Sequence, residues 1–233
     1  MGYPLRVSFA GAMYHVTTRG NNRQKVFLDD DDFDHFRQLL RRYRTRHAFN
    51  LHAYCLMPNH VHLLLETTTA ASISQIMHDL NLAYAKFFNA KYDRTGHVWQ
   101  GRFHSKIIGS ERYFLDAMRY MDLNPVRAEI AKRPDEYEWT SYRRYARGDT
   151  DDLVTPHDLY KNLGKQDRKR ERVYREFVEQ GVGQPSPVYA YSIFAGGDDF
   201  TGRMERAYGE QIWPKYRRLL ERLSEIRRTT LPE

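Results

Sequence analysis

Between residues 50 and 66 the chain reads NLHAYCLM, then Pro58-Asn59, then HVHLLLE. Two apolar runs of strand length are separated only by a two-residue break with turn chemistry. That pattern predicts an antiparallel hairpin. Whatever fold the chain adopts has to be built around this hairpin.

The flanking segments supply the rest of the pattern. Residues 12–18 (AMYHVTT) alternate, carry β-branched and aromatic side chains, and predict a strand. Arg19-Gly20-Asn21-Asn22-Arg23 follows as a polar turn. The acidic block Asp29 to Asp32 opens a helix with Phe33, Phe36, Leu39, Leu40 and Tyr43 on one stripe, and Arg41, Arg42, Arg44 and Arg46 close it. Both placements complement the helix dipole. After the hairpin, Ile73, Ile76, Met77, Leu80, Ala83, Tyr84, Phe87 and Phe88 mark a long helix over 71–91, with Ser72 or Ser74 as its cap. Residues 97–109 predict a fourth strand with a glycine interruption. A helix over 110–123 ends at Asn124-Pro125.

The order is therefore β, α, β, β, α, β, α, and its first six elements are the split βαβ arrangement. The expected fold class is α+β: a ferredoxin-like antiparallel sheet with helices packed on one face, plus a mainly helical C-terminal extension. The extension is read from the change in character beyond residue 133. A basic patch of Arg143, Arg144 and Arg147 precedes the linker-like Asp149-Thr150-Asp151-Asp152. A charged helix over 165–180 carries Val173, Phe177 and Val178. GVGQPSP at 181–187 breaks it, and a last helix over 198–228 carries Arg217, Arg218, Arg222, Arg227 and Arg228. The expected division is 1–148 for the main domain and 149–233 for the extension.

Composition narrows the class of function. There are 37 Lys and Arg against 30 Asp and Glu, a net charge of +7, which favours an anionic partner without specifying one. The single cysteine, Cys55, excludes a disulfide framework or a cysteine-built zinc site within one chain. No apolar run approaches the ~20 residues of a membrane span. The segment MGYPLRVSFAGAMYHV lacks a charged start followed by a continuous apolar stretch. The expectation is a cytoplasmic protein with no membrane partner.

Two local patterns carry chemistry. On a strand, His60 and His62 point the same way with Val61 opposed. Two neutral imidazoles so placed can chelate one divalent ion, with a further oxygen ligand and open positions. A lone His-x-His on a strand is more often exposed or hydrogen-bonded, so the pattern alone assigns no metal. His15, His52, His97 and His104 read as structural or surface groups, although His15 and His104 lie on strands able to neighbour the pair. On the helix near 111–123, Phe114, Met118 and Met121 form the core stripe. Tyr113, Ala117, Tyr120 and Asn124 form a second one, with Tyr120 and Asn124 one turn apart. Among 17 tyrosines, any single one is more often packing than nucleophile, and Tyr113 and Tyr84 rival Tyr120 on spacing.

These segments together resemble the IS200-type transposase family, and more closely its REP-associated tyrosine transposase branch, within the HUH endonuclease superfamily. His60-Val61-His62 matches the HUH motif, preceded by Ala53-Tyr54-Cys55-Leu56-Met57-Pro58-Asn59. Supporting segments are Tyr14 to Asn21, Val98-Trp99-Gln100-Gly101-Arg102-Phe103, and Tyr120-Met121-Asp122-Leu123-Asn124-Pro125-Val126-Arg127-Ala128. The likeness spans roughly residues 3–145 in four ordered segments.

The resemblance implies that His60 and His62 bind Mg²⁺ or Mn²⁺, that Tyr120 is the nucleophile, and that Asn124 sits where the family places a polar third ligand, a position at which other members carry Gln. It implies a single-stranded DNA endonuclease and strand transferase that acts beside hairpin, REP-like sequences through a 5′-phosphotyrosine. Arg19, Arg23, Arg102, Lys106, Arg143, Arg144 and Arg147 are the candidate contacts to the DNA backbone. Trp99 and Phe103 are candidates for base stacking or, with slightly greater weight, for core packing. The REP branch implies a monomer, and the transposon branch a homodimer with exchanged tyrosine helices. The competing readings are a hairpin-binding protein or repressor that does not cut, and an RNA-binding module. The latter ranks last because the K/R-G-F/Y-G/A-F signature is absent.

Overall fold

The structure is a computed structural model and describes residues 6–109, 111–184 and 194–208. Its strands are β1 (Met13–Arg19), β2 (Asn50–Met57), β3 (His60–Glu66), β4 (His104–Ile108) and β5 (Phe194–Ala195), in the sheet order β2-β3-β1-β4-β5. The four-stranded part is antiparallel and has the split βαβ order expected. β5 then adds to β4 in parallel, so the whole sheet is mixed.

Register sorts the side chains onto two faces. Thr17 lies opposite His62, Arg19 opposite His60, and His15 opposite both Leu64 and Lys106. These residues share one face; Tyr14, Val16, Thr18, Val61, Leu63 and Leu65 share the other. Leu63, Leu64 and Leu65 are all fully buried, which means that both faces of β3 are covered. This is why the run HVHLLLE stays apolar where a half-exposed strand would alternate.

The helices α1 (Asp30–His47) and α2 (Ile73–Lys91) lie on the Val61 face. There Asn81 donates to Thr18 Oγ1, and the Tyr84 ring meets Phe36 and Trp99. Asp29 caps α1 in a reciprocal capping box with Asp32, and Lys91 ties the end of α2 to both carboxylates. Ser72 caps α2. Thus two helices share one face as expected, while α3 (Glu111–Asp122) crosses the other. Its Phe114 packs on His52, and Tyr120 on His15 and His62.

One predicted strand is shorter than expected. Over 97–103 only an isolated bridge between Gly20 and Trp99 forms, and the ladder begins at His104. Gly101, at φ +60°, turns the chain, and the Trp99 indole is drawn down to the Asn81 carbonyl.

The remaining helices are α4 (Asn124–Arg127), α5 (Tyr142–Arg147), α6 (Asp158–Lys161), α7 (Asp167–Glu179) and α8 (Asp198–Tyr208). The rest of the helix predicted over 198–228, with its terminal arginines, lies outside the described residues. The outer side of β2 is covered, and β4 is not left as an edge. Tyr54 and Leu56 of β2 bond to Ser141 and Trp139, and β5 lines β4.

Candidate active site

The strand–turn–strand built by Pro58-Asn59 puts His60 and His62 side by side, with ring centroids 4.9 Å apart and planes at 85°. Asn59 Oδ1 lies 2.6 Å from His60 Nδ1 and thereby accepts its proton. His62 Nδ1 lies 3.0 Å from His15 Nε2 and 3.1 Å from Thr17 Oγ1. In both rings these hydrogen bonds run through Nδ1, which makes Nε2 the nitrogen able to face a ligand.

Burial keeps all three imidazoles neutral. His15 is pushed down to about 3, with the Lys106 ammonium adding to the effect. His60 is pushed down to about 4 by burial and then by Arg19. His62, more deeply buried, lies well below its ordinary value, and its two histidine neighbours lower it further. A neutral imidazole keeps a lone pair for a ligand, and a bond at Nδ1 fixes which nitrogen offers it.

Helix α3 brings Tyr120 onto this pair. Its ring stands edge-on to His62 at 5.6 Å and to His15 at 5.9 Å. Arg127 lies 5.5 Å over the Tyr120 ring and also donates to its carbonyl. The rival Tyr84 is fully buried on the opposite face, where its hydroxyl bonds to the Val26 carbonyl. Asn124 does not belong to α3, which ends at Asp122; it opens α4 one turn after Tyr120. Its Nδ2 is buried without a hydrogen-bond partner. That atom is a proton donor and not a ligand for a cation, so a mixed nitrogen and oxygen site for a divalent ion would have to take the two imidazole nitrogens and the Asn124 Oδ1.

The family model described as transposase IS200 like matches residues 8–124. The chain belongs to the IS200-like transposase family. A REP-associated tyrosine transposase of Haemophilus influenzae is 24% identical over 149 residues, 58% of this chain and 81% of the relative. A solved structure of a REP-associated tyrosine transposase bound to a REP hairpin matches with a TM-score of 0.54 at 18% identity, covering 68% of this chain and 93% of the other. That likeness establishes the shared fold.

In this IS200-like transposase the seven basic candidates fall into two groups. Arg19, Arg23, Arg102 and Lys106 come from β1, β4 and the segments that follow or precede them. Arg19 is exposed opposite His60 and donates to Gln100 at 2.9 Å. Arg23 is exposed at φ +58°, its carbonyl held by Asn59. Lys106 is half-buried across from His15, and burial pushes it down to about 8. Arg143, Arg144 and Arg147 instead belong to α5, beyond the far β2 edge. There Arg143 donates to the Asp135 carbonyl and Arg147 pairs with the Asp135 carboxylate at 3.8 Å. Trp99 is core, and Phe103 is half-buried under the Arg6 guanidinium at 3.7 Å.

Two partners of the site, Thr17 and Asn59, were not read as such, while His15 was placed only on a strand able to neighbour the pair. The available signal was alternation, since His15 and Thr17 share one face of their strand as His60 and His62 share one face of theirs, but His-x-His spacing alone identifies no neighbour. A further contact reaches the tyrosine helix from the extension. Tyr174 of α7 bonds to Asp122, and the Phe177 ring lies 4.3 Å from the Arg119 guanidinium.

Proposed function

We propose that this chain is a metal-dependent single-stranded DNA endonuclease and strand transferase that acts beside hairpin sequences. The observation that carries the reading is the convergence of Tyr120, from a helix, on the His60–His62 pair of a strand. The REP hairpin bound to the solved relative supports the choice of DNA. In this reading residues 1–148 carry the chemistry and 149–233 form an extension to it.

His60, His62 and Asn124 would hold Mg²⁺ or Mn²⁺, which when bound supplies positive charge beside the scissile phosphate. Asn59 and His15 keep the two imidazoles oriented. Tyr120 loses its phenolic proton and its oxygen bonds to phosphorus. The bond from phosphorus to the 3′-oxygen breaks, and that oxygen takes up a proton. A 5′-phosphotyrosine and a free 3′-hydroxyl result. The phosphoester link is conserved, so a 3′-hydroxyl can reverse the step and join strands without ATP. Arg19, Arg23, Arg102 and Lys106 flank the centre as backbone contacts, with Arg143, Arg144 and Arg147 more distant.

Covalent capture is the test. The protein is incubated with Mn²⁺ and labelled single-stranded hairpins drawn from repeats flanking its own gene, then run on a denaturing gel. A shifted protein–DNA band that disappears in Tyr120→Phe, while hairpin affinity stays within about twofold, supports the reading. Tight hairpin binding with no band under any metal would leave a binding protein that does not cut. A band lost in Tyr113→Phe but kept in Tyr120→Phe would overturn the assignment of the nucleophile.

A further inference from the structure

The last residue of α3 is an acid that the candidate centre does not use. Asp122 follows Tyr120 by two residues, precedes Asn124 by two, and is 1% exposed. Its oxygens meet two hydroxyls: Tyr174 donates to Oδ2 at 2.5 Å and Thr140 to Oδ1 at 3.3 Å. No cation bonds to it among the described residues. A buried carboxylate without a counterion is costly, and two neutral donors offset that cost only in part.

Each hydroxyl is itself tied down. Thr140 Oγ1 accepts from the Tyr142 N–H, which leaves its own proton for Asp122. The Thr140 backbone bridges to Cys55 of β2, and Cys55 lies opposite His62 in the β2–β3 register. Tyr174 stands on α7 among the rings of Tyr145 and Tyr160, at 5.6 and 5.7 Å. Beyond α7, Gly181 lies so close to Arg119 and Leu123 that a Cβ would meet each at 2.8 Å. The end of α3 is thus fastened to the histidine strands through Thr140 and to the extension through Tyr174.

Two residues along a helix is a rotation of about 200°. Tyr120 and Asp122 therefore leave α3 on nearly opposite sides, one toward His15 and His62, the other toward Thr140 and α7. A carboxylate bonded at both oxygens opposes rotation and sliding of that turn through directional bonds, which an apolar side chain lacks.

We propose that Asp122 is a positioning residue: held between Thr140 and Tyr174, it sets where Tyr120 and Asn124 stand against His60 and His62. The extension is then a working part of the catalytic unit. The proposal rests on the reading given above for the reaction that it serves.

The experiment uses the full chain with Tyr174→Phe, Asp122→Asn and a control, Tyr160→Phe. The control removes a buried hydroxyl bond of the extension, to the Tyr145 carbonyl at 2.9 Å, without touching Asp122. Two quantities are followed: the single-turnover rate of covalent capture at saturating Mn²⁺ and labelled hairpin, and amide hydrogen exchange over residues 117–122. Tyr174→Phe and Asp122→Asn are each expected to lower the rate about 10- to 100-fold, with hairpin affinity kept within about twofold. Each is expected to speed the exchange about tenfold. The double variant is expected to be no slower than the slower single one. Tyr160→Phe is expected to change neither quantity. A merely structural role predicts equal losses in Tyr160→Phe and Tyr174→Phe, and that result overturns the proposal. So does a rate left unchanged in either Asp122-site variant; where Asp122→Asn does not fold, Tyr174→Phe carries the test. If the parent gives no covalent band, the reading of function fails, and exchange alone decides. Faster exchange confined to the Asp122-site variants keeps the anchor, and unchanged exchange removes it.

Discussion

Tyr174 donates a 2.5 Å hydrogen bond to the carboxylate of Asp122, and both side chains are buried. Thr140 holds the other carboxylate oxygen at 3.3 Å. Burial pushes the Asp122 carboxyl up to about 7 against both of these bonds. The pair joins α7 of the extension to the last residue of the helix that carries Tyr120. Tyr174→Phe keeps the ring and removes the donor. It is expected to cost about 1–3 kcal/mol in urea unfolding. In the background of Asp122→Asn the same change is expected to cost less, since the two share one interaction.

The extension docks a second time, where bulk is critical. The Phe200 ring of α8 covers Gly109 and Gly196, and a Cβ on either would lie 2.2–2.3 Å from it. Gly109→Ala is expected to lower stability by about 1–3 kcal/mol through overpacking. Most of that loss should vanish in Phe200→Ala, which empties the space. Thermal melts of the four proteins of this cycle check it. Equal losses in both backgrounds would contradict the contact.

The neutral histidines set a pH dependence. His15, at about 3, and His60, at about 4, bind fewer protons folded than unfolded between those values and about 6.5. Their contribution is therefore complete above about pH 6.5 and declines as the pH falls. The slope is at most about 1.4 kcal/mol per pH unit for each histidine. Unfolding in EDTA between pH 7 and pH 5 is expected to show this decline, and His15→Asn to flatten it.

His15 touches His62 without being a candidate ligand itself. His15→Phe retains the ring stack and leaves the imidazole of His62 with Thr17 as its remaining Nδ1 partner. Mn²⁺ affinity, followed by calorimetry, is expected to fall about 10- to 100-fold. His60→Ala and His62→Ala should each lower it further. Unchanged affinity in all three would exclude the pair as a metal centre.

The hairpin at 50–66 and the helices on either side were legible because each pattern answers to a single burial geometry. The candidate site was legible to the extent that it lies on one element: His60 with His62 by strand alternation, Tyr120 with Asn124 by helical rise. What joined them was the register of β1, which no local pattern encodes, so His15 could be placed on a neighbouring strand but not against His62. β5 was not foreseen because two residues, Phe194 and Ala195, carry no periodicity. Arg143 and Arg147 were legible as a basic patch, but their engagement with Asp135 depends on the turn at Pro134–Glu136. Trp99 shows the converse, a strand-like signal overridden by one bond from its indole to α2.

The position of β1 has a bearing on the chain's synthesis. It precedes the other described strands and is the most central, yet its two neighbours begin at His60 and His104. A ribosome must extend the chain past residue 66 before β1 has its first strand partner complete, and past residue 108 before it has its second. The hairpin of β2 and β3 is complete by then and presents a ready edge. Both edges of this early strand thus stay unpaired until the later strands are made, open to any stray edge that reaches them first.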